Sequence, residues 1–151
     1  MVLFIRRHNG NLILHSKDFY PAGTFRVPSG RIQKREAILE AVYREAYEET
    51  GLGVSVDRFM AVIDFAFHWQ GHQIPMSSYL FLLHETGGKL KVQDADEHIT
   101  ALKEARLDEL PSVARHLENM PSPWRDWGLF RAIPHRLAAE LLSSTAHEGL
   151  E

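Results

Sequence analysis

The segment from Gly30 to Leu52 constrains the fold more than any other part of the sequence. Between Lys34 and Thr50, apolar residues recur every three or four positions, which predicts a helix with one buried stripe. The stripe consists of Ile38, Ala41, Val42 and Ala46. Gly51 follows directly, and glycine ends helices readily because it adopts the left-handed backbone conformation without a Cβ clash. The chain is therefore expected to contain one amphipathic helix that packs against a core.

The same helix carries three carboxylates within five positions, at Glu45, Glu48 and Glu49. Like charges this close destabilise a helix by roughly a few tenths of a kcal/mol per pair. Residues three and four positions apart share a helix face, so a solvated face is one explanation for the crowding. The alternative is that the carboxylates are held for a cation. Their oxygens suit Mg²⁺ or Mn²⁺, which bind through a few carboxylates together with substrate phosphates.

Several β-rich segments are predicted to form a sheet beside this helix. They are Val2–Arg7 and Asn11–His15, joined by an Asn-Gly turn, then Thr24–Val27 inside the loop from Asp18 to Ser29, then Phe59–His68, Ile74–His84, Lys89–Val92 and Thr100–Leu107. Two helices are predicted to follow. They cover about Asp108–Asn119 and the stretch from near Ser122-Pro123 to about Ser143, the latter kinked or interrupted at Pro134 and followed by a frayed tail from Ser144. This order predicts an α/β (α+β) fold with a mixed sheet.

Length and composition narrow the class of protein further. A chain of 151 residues is expected to form one domain, residues 1–151. Its formal net charge of -3 gives no general attraction to a nucleic acid polymer or an anionic membrane. The absence of cysteine excludes disulfides, thiolate catalysis and cysteine-rich zinc sites. With no apolar run long enough to cross a membrane, a cytoplasmic protein with a small-molecule ligand is expected.

The spacing of the fixed residues in the first segment matches a known motif. Gly30 is followed after five residues by Glu36, and after seven more by the run Arg44-Glu45-Ala46-Tyr47-Glu48-Glu49-Thr50-Gly51-Leu52. This pattern resembles the Nudix box at every fixed position. From background residue frequencies, the match is expected by chance on the order of once in a million. The resemblance makes a solvated helix face a poor explanation for the carboxylates.

The resemblance implies a Nudix hydrolase with an α/β/α sandwich fold. Such an enzyme hydrolyses a phosphoanhydride bond in a nucleoside diphosphate linked to another moiety, using metal-activated water and Mg²⁺, for which Mn²⁺ can substitute. Carried over by position, Glu45, Glu48 and Glu49 are implied metal ligands, joined by the carbonyl of Gly30. Glu48 and Glu49 are also implied catalytic residues. Glu36 and Arg44 are implied to orient them.

Relatives often take a further acidic residue from a distant loop, and three candidates lie in the stretch QDADEHIT. They are Asp94, Asp96 and Glu97. We favour Glu97 as a catalytic residue because it directly precedes a strand and helix that resemble the usual ending of the family. A solvated acidic loop is the alternative explanation.

Substrate contacts are predicted around the box. Arg26 and Arg31 flank Gly30 and are candidates to bind a phosphate, although solvated arginines are the alternative. Trp69, in the turn between the two long strands, is a candidate to stack on a base, with an exposed loop residue as the alternative. The residues Phe19, Tyr20 and Phe25 precede the box where relatives form a pocket wall. The aromatic face of the last helix, Trp124, Trp127, Phe130 and Arg131, favours docking or homodimer packing.

The sequence does not choose a substrate. The stretch Ala66–Trp69 has neither the proline nor the tyrosine that marks some subfamilies, so ADP-ribose, dinucleoside polyphosphates, sugar nucleotides and damaged triphosphates all remain open. A catalytically silent sensor that binds a nucleotide or ADP-ribose is the alternative function, although such proteins commonly lose box carboxylates. An isomerase of the isopentenyl-diphosphate type is excluded because it relies on a catalytic cysteine.

Overall fold

The computed structural model describes residues 1–148, and its centre is a mixed sheet of five strands. The strands are β1 (Val2–Arg6), β2 (Leu12–Lys17), β3 (Leu52–Trp69), β4 (His72–Gly88) and β5 (Ile99–Ala105). They lie in the order β3-β4-β1-β2-β5. The pair β1 and β4 is parallel, and the other neighbours are antiparallel. The predicted α/β (α+β) class with a mixed sheet is confirmed.

Helices cover both faces of the sheet. They are α1 (Ile38–Thr50), α2 (Leu110–Glu118) and α3 (Arg125–Glu148). Side chains of β1 alternate between the two faces, as the period of a strand requires. Leu3 and Ile5 pack with Ala41, Val42 and Ala46 of α1, whereas Phe4 packs with Leu142 and other residues of the C-terminal helices. Ile38, the first residue of the predicted buried stripe, is exposed at the start of α1. The result is an α/β/α arrangement, as the resemblance implied.

Several boundaries differ from the predictions. Helix α1 begins at Ile38, four residues later than predicted, because Gln33–Glu36 forms a turn in which Arg35 has a positive φ of 67°. The predicted strand at Lys89–Val92 is wrong: this segment instead bonds to the end of α1, with the Lys91 N–H donating to the Thr50 carbonyl. The predicted strand at Thr24–Val27 is reduced to isolated bridges such as His15 with Arg26.

Helix α3 also differs from its prediction. It starts at Arg125 and continues to Glu148 with Pro134 inside it, so the predicted interruption is wrong. The predicted fraying from Ser144 is not seen as far as Glu148, and its remaining part lies outside the described residues. No helix within residues 1–148 is long and apolar enough to cross a membrane.

Two loops position groups beside the C-terminal end of α1. The loop after β2 returns along the sheet and brings Ser29 opposite Val2. The loop after β4 is fixed to α1 because the N–H groups of Gln93 and Asp94 both donate to the Glu48 carbonyl. A glycine ends α1 as predicted: Gly51 has a φ of 75° and its N–H bonds the Tyr47 carbonyl. Residues far apart in sequence therefore meet at one end of the acidic helix.

Candidate active site

A cleft of about 690 Å³ opens beside the acidic side of α1. Its lining comes from β1, β2, the loop before α1, the β3–β4 hairpin, the loop after β4 and the start of α3. The lining residues are Met1, Val2, Lys17, Arg26, Ser29, Gly30, Arg31, Glu45, Phe67, Met76, Ser78, Glu97, Asp126, Trp127, Phe130 and Arg131. The cleft thus combines carboxylates, basic groups and aromatic rings.

Three carboxylates converge beside this cleft, and two of them, Glu45 and Glu97, line it. Oxygens of Glu45, Glu48 and Glu97 lie within 4.8 Å of one another. Glu45 is buried, and the other two are half-buried. Of the three acidic residues considered in the downstream loop, Glu97 alone joins this group, whereas the side chain of Asp94 accepts a hydrogen bond from the Asp96 N–H. Lys17, not singled out from the sequence, places Nζ 3.2 Å from Glu97 Oε2.

Arg44 holds the carboxylates of α1 in place. Its guanidinium donates to both oxygens of Glu36, at 2.6 and 2.8 Å. It also donates to Glu45 Oε1 at 2.8 Å and to Glu48 Oε2 at 3.1 Å. The hydrogen bonds from Arg44 to Glu36 lower the pKa of Glu36 to about 2. Arg44 therefore orients Glu45 and Glu48 while leaving one oxygen of each carboxylate for another partner.

Glu49 lies behind the other carboxylates rather than among them. Its side chain is fully buried, and Oε2 accepts a hydrogen bond from the Ser29 N–H at 3.2 Å. Nε2 of His15 is 3.6 Å from the same oxygen, and Oε1 has no partner. Burial raises the pKa of Glu49 to about 8. A buried, unpartnered carboxylate oxygen beside three further carboxylates fits a hard divalent cation.

Gly30 approaches Glu45 so closely that a larger residue does not fit. A Cβ at this position would collide with the Glu45 carboxylate carbon. The Gly30 carbonyl, an implied ligand, accepts a hydrogen bond from the Met1 amino group at 2.8 Å. Burial lowers the pKa of that amino group. The Gly30 carbonyl therefore already accepts a hydrogen bond in this structure.

The predicted substrate contacts are only partly brought together. Arg26 and Arg31 both line the cleft, but Trp69 does not. Trp69 lies at the tip of the β3–β4 hairpin with 64% of its surface exposed. The aromatic residue of this hairpin that lines the cleft is Phe67. Phe67 and Trp69 are two positions apart and so face the same side of β3. They differ in their position along the strand, because Trp69 is its last residue, at the turn.

The first turns of α3 contribute residues to the cleft that the sequence assigned to docking or dimer packing. Trp127, Phe130 and Arg131 all line it. Tyr20 packs on Trp127 with ring centroids 4.9 Å apart, which joins the loop after β2 to α3. Burial and the neighbouring Arg26 lower the pKa of Arg131 to about 9. Helical spacing showed that these residues share a face, but it could not show which surface that face meets.

Comparison with known families identifies the chain. A family model described as the NUDIX domain matches residues 1–126. The chain therefore belongs to the Nudix family, and its class is that of the Nudix hydrolases. The resemblance predicted from the Gly30–Leu52 motif is confirmed. Members of this family generally use divalent metal ions, which the carboxylate cluster fits.

Relatives of known name agree with this class. The human 8-oxo-dGDP phosphatase NUDT18 is 24% identical over 147 residues, which cover 97% of this chain and 40% of the relative. The ADP-ribose pyrophosphatase of Methanocaldococcus jannaschii is 32% identical over 127 residues, which cover 82% of this chain and 70% of the relative. The chain thus spans less than half the length of the human relative.

Solved structures share the fold. An Ap4A hydrolase of C. elegans, solved as a binary complex, aligns with 95% of this chain and 96% of its own, with a TM-score of 0.60 and 16% identity. The MutT Nudix hydrolase of Burkholderia pseudomallei aligns with 93% of this chain and 96% of its own, with a TM-score of 0.55 and 23% identity. At these identities the similarity shows the fold alone.

Proposed function

We propose that this protein hydrolyses a phosphoanhydride bond in a nucleoside diphosphate linked to another moiety, with Mg²⁺ as its metal. The observation that carries the proposal is the group of Glu45, Glu48 and Glu97, whose oxygens lie within 4.8 Å of one another. Glu45 and Glu97 line a cleft that also contains basic side chains. Carboxylates on one side suit a cation, and arginines suit the phosphates that accompany it.

In this proposal Glu45, Glu48 and Glu49 hold the metal together with the Gly30 carbonyl. When bound, the metal supplies positive charge for the phosphate oxygens and makes water a better nucleophile near neutral pH. Arg44 and Glu36 keep the carboxylates of α1 in position before substrate arrives. Such pre-organisation contributes to rate because no reorganisation is needed during the reaction.

The remaining step is removal of a proton from the attacking water. A carboxylate within hydrogen-bond reach of that water can accept the proton. Glu48 and Glu97 are half-buried and lie in the group of three carboxylates, whereas Glu49 is fully buried. We therefore assign the role of base to Glu48 or Glu97 and assign Glu49 to the metal.

The phosphate groups and the nucleobase of the substrate are assigned to the other residues that line the cleft. Arg26 and Arg31 lie in the cleft as candidates for the diphosphate. Phe67 and Trp127 offer ring faces on which a nucleobase can stack, a contact that tolerates different bases. ADP-ribose and oxidised nucleoside diphosphates come first among the substrates, because relatives named for these activities are similar along most of this chain.

The test is product release from ADP-ribose, 8-oxo-dGDP, dinucleoside polyphosphates, sugar nucleotides and oxidised triphosphates. Each compound is incubated with Mg²⁺, with Mn²⁺ and with chelator, and products are separated by ion-exchange chromatography. We expect turnover of one class, abolished by chelator. Absence of turnover across the panel, with nucleotide binding still measurable by calorimetry, would instead support a silent sensor on this fold.

A further inference from the structure

Two arginines in the cleft have no acidic partner. Among residues 1–148, no carboxylate oxygen forms an ion pair with Arg26 or Arg131 within 4.0 Å. Arg26 is only 4% exposed, and Nε of Arg131 is buried without a hydrogen-bond partner. Buried charges are normally paired, because removing them from water is costly. An unpaired buried cation that lines a cleft therefore indicates an anionic ligand.

The two guanidinium groups are held around a single oxygen. Nη1 of Arg26 donates to Ser29 Oγ at 2.7 Å, and Nη1 of Arg131 donates to the same oxygen at 3.1 Å. Two like charges so close repel each other unless an anion lies between or beside them. The hydroxyl of Ser29 satisfies one donor of each group but carries no charge. The remaining positive charge is thus available to a ligand.

One buried histidine joins the backbones that carry these arginines. The Val27 N–H, next to Arg26, donates to Nε2 of His135 at 3.1 Å. Because Nε2 accepts, Nδ1 carries the proton and donates to the Arg131 carbonyl at 2.7 Å. The loop before α1 and helix α3 are therefore fixed to each other where the two arginines meet.

Neighbouring rings complete the support of the side chains. Tyr20 Oη accepts a hydrogen bond from Arg26 Nε at 2.8 Å. The guanidinium of Arg131 lies 5.0 Å from the centre of the Phe130 ring, a distance that suits a cation–π contact. Both guanidinium groups are thus pre-organised, which lowers the entropic cost of binding an anion.

We propose that Arg26, Ser29 and Arg131 form an anion seat for the diphosphate of the substrate, in the same cleft that Glu45 and Glu97 line. The proposal rests on the proposed function, since it assigns a part of the same substrate. It makes Arg131 a specificity-determining residue for compounds that contain a diphosphate group. Arg131 lies beyond the region matched by the family model, which ends at residue 126.

The test is calorimetric binding of inorganic pyrophosphate to the full chain in the presence of chelator. Removing the metal isolates the anion seat from the carboxylates. We expect Arg131→Gln to weaken pyrophosphate binding about tenfold to a hundredfold, the usual effect of hydrogen bonds to charged groups. Arg131→Lys is expected to bind with intermediate affinity, because lysine keeps the charge but not the planar fork. Arg125→Gln, which removes an exposed arginine from the same helix, is the matched control and is expected to bind like the wild type.

A purely structural role of Arg131 is distinguished by thermal unfolding. An arginine that only supports the fold would lower Tm when replaced, whereas removing one of two repelling cations is expected to leave Tm unchanged or raise it. Pyrophosphate is also expected to raise the Tm of the wild type, and not that of Arg131→Gln. If Arg131→Gln does not fold, Arg131→Lys and Ser29→Ala decide, and pyrophosphate affinity equal to the wild type in both overturns the proposal.

The two proposals fail in different ways. Metal-dependent turnover by the wild type overturns the anion seat alone in two cases: the wild type does not bind pyrophosphate, or Arg131→Gln binds it as tightly as the wild type. Loss of pyrophosphate binding in Arg131→Gln, combined with no turnover by the wild type, overturns the hydrolase alone and leaves an anion-binding cleft.

Discussion

Two clusters of like charge lie at or beside the same cleft, but they arise in different ways. The carboxylates Glu45, Glu48 and Glu49 lie within five positions of one helix. The anion seat joins Ser29 to Arg131, which are 102 positions apart. Both clusters contain unpartnered buried polar atoms, an oxygen of Glu49 and a nitrogen of Arg131. A metal–diphosphate complex would neutralise both at once.

The two clusters also differ in how their charge is balanced without a ligand. The carboxylates have internal counter-ions: Arg44 donates to Glu45 and Glu48, and Lys17 lies beside Glu97. The arginines of the anion seat share the neutral Ser29 hydroxyl and form no ion pair within 4.0 Å among residues 1–148, although Glu49 is near enough to attract both. The acidic side can therefore remain ordered before metal binds, while the basic side depends on burial and packing. A local motif can therefore include the residue that orients its charged groups, whereas a site built from distant residues depends on the packing of the fold.

Among the changes to the carboxylates, Glu49→Gln is expected to have the largest effect on hydrolysis. We expect hydrolysis to fall on the order of 10³-fold, because a neutral amide replaces a charged metal ligand. The fold should survive or gain stability, since a buried carboxylate with an unpartnered oxygen is removed. The measurements are steady-state hydrolysis and the midpoint of urea unfolding.

Glu40→Gln is the matched control for this variant. Glu40 is exposed on the same helix, and its side chain accepts the Ala37 N–H, a role that glutamine also performs. Activity near the wild-type level is expected. Undiminished hydrolysis by Glu49→Gln would show that Glu49 is not part of the site.

A second change tests the close contact between Gly30 and the Glu45 side chain. Gly30→Ala places a Cβ where the Glu45 side chain lies, so Glu45 must move. We expect activity to fall on the order of 10²-fold, because misplacement by about 1 Å can have this effect. Gly87→Ala is the control, since nothing lies within 4 Å of a Cβ at Gly87. Equal activity of the two variants would contradict a role for the Gly30 position in the site.

A third change removes the internal counter-ion of the acidic side. Arg44→Met leaves Glu45 and Glu48 without their donor, so we expect roughly tenfold weaker activity and about 2 kcal/mol less stability to unfolding. Arg136→Met, which breaks an exposed pair with Glu118, should cost less than about 1 kcal/mol. Denaturant unfolding and Mg²⁺ titrations of activity measure both effects. A smaller loss for Arg44 than for Arg136 would be inconsistent with the supporting role.

The smallest expected effect is a pH dependence of stability in chelator. Burial raises the pKa of Glu49 to about 8 from an ordinary value of 4.5. The folded form then holds a proton that the unfolded form has lost, so stability from this group is complete below pH 4.5 and is lost as the pH rises towards 8. Between pH 7 and pH 8 the loss is about 1 kcal/mol. The buried His15 and His135 have lowered pKa values, so they change the stability of the fold only below pH 6.5, outside this window.

The comparison of wild type with Glu49→Gln isolates this effect. The pKa of the Met1 amino group is lowered, so its contribution to stability rises with pH, opposite to that of Glu49. Wild type and variant share this contribution, so it cancels in their comparison. Urea midpoints across pH 7 to 8 should fall further for the wild type than for the variant. Addition of Mg²⁺ should remove the difference in slope, because a cation favours the ionised carboxylate.

Much of the carboxylate cluster could be predicted because most of its residues lie close together along the chain. The helical period places Glu45 and Glu49 four positions apart on α1, and Gly51 ends that helix as expected. Glu97 was chosen from its place before β5, and it joins the cluster. Element boundaries were less accurate: the hairpin strands extend further than predicted, and Lys89–Val92 bonds to the end of α1 instead of forming a strand.

The residues of α3 were assigned to a different role because their partners lie elsewhere in the chain. Trp127 and Arg131 were expected at a docking surface, whereas they line the cleft. Trp69 was a candidate to stack on a base, with an exposed loop residue as the alternative, and it lies at an exposed hairpin tip. In both cases the sequence shows which residues share a face or a turn, but not which surface that face or turn meets.

The sequence by itself determined the family, the mixed α/β class and the spacing of the helix carboxylates, because each depends on residues close together along the chain. The tertiary structure alone decided that Glu97 meets Glu45, that Glu49 lies buried against His15, and that Arg26 and Arg131 share Ser29. These contacts depend on how α3 and the loops after β2 and β4 pack against the sheet. Packing depends on contacts between distant residues, which the spacing within any one segment does not contain.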